Sequence, residues 1–180
     1  METTKAVNLE ILGYNAGNSV LEISVDTVLF SKFSQAANSP VSFGKVYTYP
    51  SGKNEAQISI KDKQSGSEVW KQTVRLSGAE LEHFYPFVYI DGKVLEINPP
   101  VTDPTTNKIG FYIHYPASND AIDVFIKNEA GQVAYFAKNV KPGSLVYSDF
   151  VMPENFFQNI QGTHYIYCTK AGTTNSWAFD

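Results

Sequence analysis

Short runs of β-branched and aromatic residues, separated by turn residues, constrain the fold of this chain more than any other feature. Gly, Pro, Asn or Ser interrupts the runs about every 8 to 12 residues, a spacing that is typical of a β-sandwich or barrel. We therefore predict an all-β protein built from antiparallel sandwiches. The runs are VNLEIL, VLEISV, KVYTY, AQISI, EVWKQTVRL and FVYIDGKVLEI, then KIGFYIHY, AIDVFIKN, QVAYFAK, SLVYSDFV, THYIYCTK and NSWAF.

Turn residues between these runs predict several hairpins. Asp91 and Gly92 lie between two apolar runs and predict a two-residue hairpin, because both central positions of that turn need a positive φ angle. The stretches at 65–67 (SGS) and 129–131 (EAG) are looser hairpin signals. Helix is predicted for a turn or two only. It is expected near Ser77, in LSGAELEHF, where the capping-box spacing occurs, and in MPENFFQNIQG, where Pro153 suits a first helical position.

Two parts of the chain resemble each other at a constant offset of 101 residues. The stretch GYNAGNSVLEISV at 13–25 matches HYPASNDAIDVFI at 114–126 in three identities, and Trp70 and Trp177 each follow a strand and a polar turn. This self-similarity predicts two related sandwich units. The identities pair Tyr14 with Tyr115, Ala16 with Ala117 and Asn18 with Asn119.

A proline-rich stretch, INPPVTDPTTN at 97–107, separates the two strand-rich halves. A Pro-Pro pair cannot donate to a central ladder, so we predict a first unit at 1–97, a linker at 98–107 and a second unit at 108–180. The second unit is shorter. Either it lacks edge strands, or the chain forms one larger sheet assembly.

Composition excludes several classes of partner. The formal net charge is −4 and the basic residues are scattered, which argues against nucleic acid. No run approaches the roughly 18 apolar residues that a membrane span needs, and the opening METTKAVNLE has no apolar signal region. Cys168 lies within a strand-like run, where a buried thiol is the ordinary interpretation.

A family resemblance rests on VNLEILGYNAG, VLEISVDTVLF, VSFGKVYTYPSG and EAQISIKDKQSGSEVWKQTVRLSGAELEHFYPFVYIDG, then IHYPASNDAIDVFI. With these stretches the chain resembles, over about 6–92 and more weakly over about 108–128, a domain of unknown function that recurs, often in tandem, in secreted and lipid-anchored bacterial envelope proteins. The resemblance implies an Ig-like or transthyretin-like sandwich and an envelope location, with a possible lipid anchor upstream. It implies no catalytic residues.

Catalytic and metal-binding motifs are not found in the sequence, which contains no G-x-S-x-G, P-loop, H-E-x-x-H or C-x-x-C pattern. We predict no enzyme activity, no catalytic residues, no cofactor and no metal. Two alternative metal sites are considered beside the prediction of no metal. One joins His83, His114 and His164, and the other is a calcium site near Asp123, with Asn119 and Asp120. We favour a turn at 119–120 and an outward-facing Asp123.

Aromatic side chains are the remaining functional candidates. By the two-residue period of a strand, Tyr47 and Tyr49 share one face. Such rings, together with Trp70 or its second-unit counterpart Trp177, are candidates for stacking against a sugar. The competing interpretation is core packing, because cross-strand aromatic pairs also stabilise sheets. In FYPFVYI both faces are apolar, which predicts a strand covered on both sides.

The sequence therefore favours a non-enzymatic module at the cell envelope, structural or adhesive, that recognises a protein or another surface partner. Addition of a partner's β-strand is one mode of recognition expected for it, because the second unit is short of strands. The alternative function is carbohydrate binding through exposed Tyr and Trp faces.

Overall fold

The computed structural model describes residues 3–151, 156 and 165–179, and these residues form an all-β fold. The sheets are stacked and none closes into a barrel, so the predicted fold class is confirmed. The strands are β1 Thr4–Asn15, β2 Leu21–Val25, β3 Val28–Leu29, β4 Ser39–Pro50, β5 Glu55–Asp62, β6 Glu68–Arg75, β7 Glu82–Ile90, β8 Lys93–Val94, β9 Asn107–Tyr112, β10 Ile122–Lys127, β11 Val133–Val140, β12 Leu145–Phe150 and β13 Ile166–Lys170, with one 3₁₀ turn at Ser31–Phe33.

Two units divide the chain, Met1–Ile97 and Asn98–Asp180. The first unit stacks a sheet of order β4-β1-β7-β8 on a sheet of order β3-β2-β5-β6. Alternate residues of both sheets face inward and form one core, as the two-residue strand period requires. The largest fully buried side chains of this core are Phe43, Phe87, Leu9, Ile11, Leu21, Ile23, Ile58 and Ile60.

One pairing in the first unit is parallel. β1 pairs antiparallel with β4 on one side and parallel with β7 on the other, with Gly13 opposite Phe87. The strands are in close contact here, because a Cβ atom added to Gly13 would lie 1.6 Å from the carbonyl oxygen of Phe87. Gly13 has no side chain, and β7 can therefore approach β1 closely enough to pair with it.

A buried asparagine closes the end of this sandwich. The Asn15 side chain is fully buried, and its Nδ2 donates to the carbonyl oxygens of Ser19 (3.0 Å) and Ala36 (2.9 Å). Its Oδ1 accepts the Gly17 N–H at 3.0 Å. These bonds join the β1–β2 turn to the segment before β4, so the polar group is satisfied without water.

The hairpin predicted at Asp91-Gly92 is confirmed. Both residues have positive φ angles, 54° and 73°, and they connect β7 to β8. Gly66 and Gly131 also have positive φ angles, in the two other predicted turns.

The helix predicted near Ser77 is wrong. Residues 77–79 form a bend, and the backbone on either side of the bend is bonded elsewhere: Leu76 N–H donates to the Asn54 carbonyl and the Leu81 carbonyl accepts from Asn8 of β1. These tertiary bonds outweigh the local capping signal. The second predicted helix, in MPENFFQNIQG, lies outside the described residues except for Phe156.

The prediction that FYPFVYI is covered on both sides is also wrong. In β7 the side chains of Tyr85 and Phe87 pack in the core, but Phe84 is 56% exposed and Pro86 is exposed. An apolar side chain on an open sheet face produces the same sequence pattern as a buried one.

The second unit stacks a sheet of order β11-β10-β13 on a sheet of order β12-β9. Ile122, Val124 and Ile126 of β10 are buried and face the second sheet, where Phe111 and Val146 pack with Ile122 and Val124 and where Ile109 packs with Ile126. The second unit is thus a smaller sandwich whose inner faces are closed by side chains of both sheets.

Strand pairing shows that the second unit repeats the first. β9 pairs antiparallel with β12 as β1 does with β4, and β10 pairs antiparallel with β11 and β13 as β2 does with β3 and β5. The 101-residue offset holds for β2 and β10, whose core-facing residues are Leu21, Ile23 and Val25 in one and Ile122, Val124 and Ile126 in the other.

The offset of 101 does not hold in the first strand of each unit, where the core-facing positions differ by one residue. Val7 and Leu9 face the core in β1, whereas Ile109 and Phe111, not Lys108 and Gly110, face it in β9. The described part of the second unit contains no equivalent of β7 or β8.

Candidate functional site

Tyr47 and Tyr49 stack on each other in β4, with ring centroids 5.9 Å apart. Tyr49 is 6% exposed, and its hydroxyl donates to the Leu76 carbonyl at 3.3 Å. Tyr47 is half-buried, and its hydroxyl donates to Asp26 Oδ2 at 2.5 Å. Both predicted rings therefore take part in packing and hydrogen bonding within the first unit.

Asp26 is the centre of a small polar cluster beside Tyr47. Its carboxylate also accepts from Lys53 Nζ at 2.6 Å and from the Gln57 N–H at 3.0 Å. Burial raises the pKa of this carboxyl, but the hydrogen bonds from Lys53, Tyr47 and Gln57 outweigh it and hold the pKa below the ordinary value. The cluster secures the β2–β3 turn, where Asp26 has a φ angle of 53°.

Acid is expected to weaken the first unit through Asp26. Because the folded-state pKa is lowered, the stabilisation is present above the unfolded pKa and is lost as the pH falls through the folded pKa, that is, below about pH 4. We expect the thermal midpoint of the wild type to fall more steeply than that of Asp26→Asn between about pH 5 and pH 3. If calorimetry shows the midpoints of the two proteins falling equally with pH, this cluster does not contribute to the acid sensitivity.

Trp70 lies on β6 and packs edge-on against two aromatic rings of β7. Its ring centroid is 5.7 Å from that of Tyr85 and 5.9 Å from that of Phe87. Phe87 is fully buried, so Trp70 closes one side of the core. Its half-buried ring is committed to packing.

Trp177 is the most exposed of the four predicted residues, at 56%. It pairs with Thr169 of β13 and stacks on Tyr167 with centroids 5.6 Å apart and planes within 10°. Trp70 instead pairs with Ile60 of β5. Ile60 corresponds in the repeat to Cys168 of β13, because Ile60 pairs with Ile23 and Cys168 pairs with Val124, 101 residues later. A shift of one residue turns a side chain to the other face of a sheet, so Trp177 faces away from the core that Cys168 contacts.

Trp177 is the end of a row of four neighbouring aromatic rings across the outer face of the β11-β10-β13 sheet; Phe125, Tyr167 and Trp177 are stacked, and Tyr135 is tilted by 59° against Phe125. Centroids are 5.4 Å apart between Tyr135 and Phe125 and 5.5 Å between Phe125 and Tyr167. Lys138 Nζ lies 4.0 Å from the Tyr135 centroid at the other end. We name these four rings, Tyr135, Phe125, Tyr167 and Trp177, the aromatic row.

Phe125 and Tyr135 were not predicted as members of this row. Their spacing along the chain carries no signal, because the row runs across strands and depends on the register that places Phe125 opposite both tyrosines. Phe125 is fully buried between its neighbours, which fixes Tyr167 and leaves Trp177 as the accessible end.

A pocket of about 250 Å³ lies at the Trp177 end of the aromatic row. Two aromatic faces, hydroxyl groups, an amide and an ammonium group meet there. The lining residues that the structure describes contain no carboxylate and no thiol, so they offer groups for binding and none of the carboxylate pairs used in acid–base hydrolysis. They are Lys127, Tyr167, Thr169, Thr174, Asn175 and Trp177.

Hydrogen bonds hold the loop that forms the rim of this pocket. Thr169 Oγ1 donates to the Thr173 carbonyl at 2.7 Å, and Thr173 Oγ1 donates to the Lys170 carbonyl at 2.8 Å. The Gly172 N–H donates to Asp123 Oδ2 at 2.8 Å. A rim fixed in this way loses little conformational entropy when a ligand binds.

The calcium alternative does not match the surroundings of Asp123. This residue lies on the same outer face of β10 as Phe125, which is the outward orientation that was expected, but it is only 4% exposed. Its Oδ1 accepts the Asn139 N–H at 2.8 Å and its Oδ2 the Gly172 N–H. Backbone amides thus occupy both oxygens, and Asp123 is a structural carboxylate.

Two of the three histidines of the alternative metal site, His83 and His114, lie in the described residues. His83 stacks on Tyr85 with centroids 6.4 Å apart, and His164 lies outside the described residues. Across the described ranges no group of three His, Cys, Asp or Glu side chains is arranged to hold a metal ion. Burial raises the pKa of the Cys168 thiol, which keeps it protonated.

Comparison with known proteins adds no family to this picture. No protein-family model matches the chain, and a search of the curated proteins finds no significant match. The described residues contain no helix that is long and apolar enough to cross a membrane.

Proposed function

We propose that this chain is a non-enzymatic adhesive module of the bacterial cell envelope, and that it binds a surface carbohydrate at the Trp177 end of the aromatic row. The observation that carries the proposal is Trp177 itself: a large aromatic side chain, 56% exposed, held flat against Tyr167 beside a polar pocket. Exposed aromatic surface of this kind marks interaction sites.

The chemistry of the pocket suits a sugar. The C–H face of a pyranose ring is apolar and stacks on an indole, while its hydroxyl groups need polar partners near the ring edge. Thr174 and Asn175 are exposed on the rim and supply a hydroxyl and an amide, and Lys127 adds a cation for which a carboxylated sugar offers a partner. The volume, about 250 Å³, lies just below the range of about 300 to 1,000 Å³ found for drug-sized ligands and suits a short oligosaccharide end.

The envelope location rests on the resemblance of 6–92 to domains of secreted and lipid-anchored proteins. A rigid sandwich that presents a preformed site is suited to adhesion, because the scaffold keeps the site in place while loops vary. Trp177 and Tyr167 are the residues to which we assign binding, and Tyr47, Tyr49 and Trp70 serve the packing of the first unit.

A glycan array probed with the wild type and two alanine variants tests the proposal. Trp177→Ala is expected to weaken binding at least about fivefold, because ring stacking contributes about 1 to 3 kcal/mol in comparable recognition by aromatic side chains. Phe84→Ala is the matched control, since Phe84 is also an aromatic residue with 56% exposure but lies on β7 of the first unit. We expect it to bind as the wild type does.

The array includes neutral and carboxylated oligosaccharides, so that Lys127→Ala reports any preference for an acidic sugar. The proposal is contradicted if the wild type binds no glycan on the array. It is equally contradicted if Trp177→Ala and Phe84→Ala bind alike.

A further inference from the structure

The two units differ at one edge in a way that their common topology makes visible. In the first unit β1 lies between β4 and β7, and its outer neighbour β7 runs parallel to it over Asn8–Asn15. In the second unit β9 takes the place of β1 and β12 that of β4. Among the described residues, β9 pairs with β12 alone.

The core-facing side chains of β9 are less buried than those of β1, as expected for a strand with a neighbour on one side only. The inward residues of β1, Val7, Leu9 and Ile11, are at most 2% exposed. The inward residues of β9, Ile109 and Phe111, contact the second-unit core but remain only partly buried. A strand added beside β9 would cover these side chains as β7 covers those of β1.

The backbone of β9 presents its hydrogen-bonding groups to this edge. In β1 the outward-facing Asn8 donates its N–H to the Leu81 carbonyl at 2.8 Å, on the β7 side. β9 has the same direction relative to its β4-like neighbour, so the N–H groups of its outward-facing Lys108 and Gly110 point toward the corresponding edge.

β9 also lacks the features that protect the two long edge strands of the first unit. The edge strand β4 carries Pro40, Lys45 and Pro50. The edge strand β6 carries three charged residues besides a bulge opposite Ile60. β9 contains one charged residue, no proline and a regular register with β12. Edge strands without such protection are templates for pairing with another chain.

We propose that β9 binds an extended segment of a partner protein, which adds to the sheet as a strand parallel to β9 in the position that β7 occupies beside β1. The segment carries apolar or aromatic side chains at alternate positions, because Tyr85 and Phe87 fill the corresponding positions of β7. Main-chain bonds supply affinity, and the side chains over Ile109 and Phe111 supply selectivity. This site is independent of the carbohydrate site.

Amide hydrogen exchange on the full chain tests the edge, with a synthetic peptide of the β7 sequence, LEHFYPFVYIDG, as the partner. In the free protein we expect the amides of Lys108 and Gly110 to exchange at least about tenfold faster than those of Asn8 and Glu10, which face β7. Saturating peptide is expected to slow exchange at Lys108 and Gly110. A peptide of the same composition with its alternation scrambled is expected to have no effect.

A pair of variants at one position supplies an independent readout. Lys108→Pro removes an edge N–H and is expected to weaken peptide binding at least about tenfold. Lys108→Ala removes only the ion pair with Asp149 and is expected to bind within about twofold of the wild type. Peptide affinity is measured by fluorescence anisotropy, with thermal midpoints to confirm folding.

Three results would overturn the proposal. In the first, Lys108 and Gly110 are already as protected as Asn8 in the free monomer, so the chain covers its own edge. In the second, the β7 peptide gives no added protection, or the scrambled peptide gives as much. In the third, sedimentation shows a dimer that Lys108→Pro dissociates, so a second copy of this chain is the occupant.

Discussion

Gly13→Ala is expected to reduce the free energy of unfolding of the first unit by at least about 3 kcal/mol. The new methyl group would lie 1.6 Å from the carbonyl oxygen and 2.5 Å from the carbonyl carbon of Phe87, and both are backbone atoms that cannot move as a side chain does. The strands β1 and β7 would have to separate. Phe87 is fully buried, so separation would also open the core.

Gly44→Ala is the matched control for this effect. Gly44 lies on β4 in the same sheet, and a Cβ atom there would meet nothing within 4 Å. Alanine restricts the unfolded chain, so Gly44→Ala is expected to leave stability unchanged or raise it by up to about 1 kcal/mol. Chemical unfolding followed by tryptophan fluorescence measures both variants, since Trp70 reports the first unit. Equal midpoints for the two would contradict the close contact between β1 and β7.

Asp123→Ala is expected to reduce the stability of the second unit by about 3 kcal/mol. The substitution removes two charge-assisted hydrogen bonds, each contributing about 1.5 to 3 kcal/mol, and leaves the N–H groups of Asn139 and Gly172 without their acceptor. Asn139 lies at the irregularity of β11 and Gly172 in the turn after β13, both with positive φ angles (57° and 80°), so the carboxylate joins β10 to both segments.

Asp120→Ala separates this effect from the loss of a negative charge. Asp120 is exposed, three residues away, and is expected to change stability by less than about 0.5 kcal/mol. Because Gly172 belongs to the loop beside the pocket, Asp123→Ala is also expected to weaken carbohydrate binding, measured below its unfolding temperature. Calcium that raised the unfolding midpoint of the wild type but not of Asp123→Ala would instead support the metal alternative.

Strand identity was predictable from the sequence because it depends on local pattern. The alternation of Val7, Leu9 and Ile11 with polar residues specifies β1, and Asp91-Gly92 specifies the turn that follows β7. The helix predicted from the capping-box spacing at Ser77 was wrong because it, too, depended on local pattern alone. A local signal is outweighed where tertiary backbone bonds fix both ends of the same segment: Leu76 N–H donates to the Asn54 carbonyl, and Asn8 N–H donates to the Leu81 carbonyl.

Pairing between distant strands was not predictable. The parallel approach of β7 to β1 depends on Gly13 having no side chain, and a glycine in a strand has several possible roles. The repeat was visible in β2 and β10, where the offset of 101 holds. It was blurred in β1 and β9, where the inward face is shifted by one residue.

The candidate site was predictable only in part. Trp177 was named from the sequence, but so was Trp70, and the two lie on opposite faces of equivalent sheets because their registers differ by one residue. No pattern along the chain distinguishes these cases. The aromatic row likewise depends on the registers of β10 with β11 and β13, which side-chain periodicity within a single strand does not encode.

Titration of an oligosaccharide into ¹⁵N-labelled protein tests the carbohydrate site most directly, because the chain contains only two tryptophans and hence two indole N–H signals. We expect the Trp177 signal and the amides of Thr174 and Asn175 to shift in a saturable manner while the Trp70 signal stays in place. Saturable shifts centred on Trp70, or no shift at Trp177 with a glycan that the array shows to bind, would contradict the assignment of binding to the aromatic row.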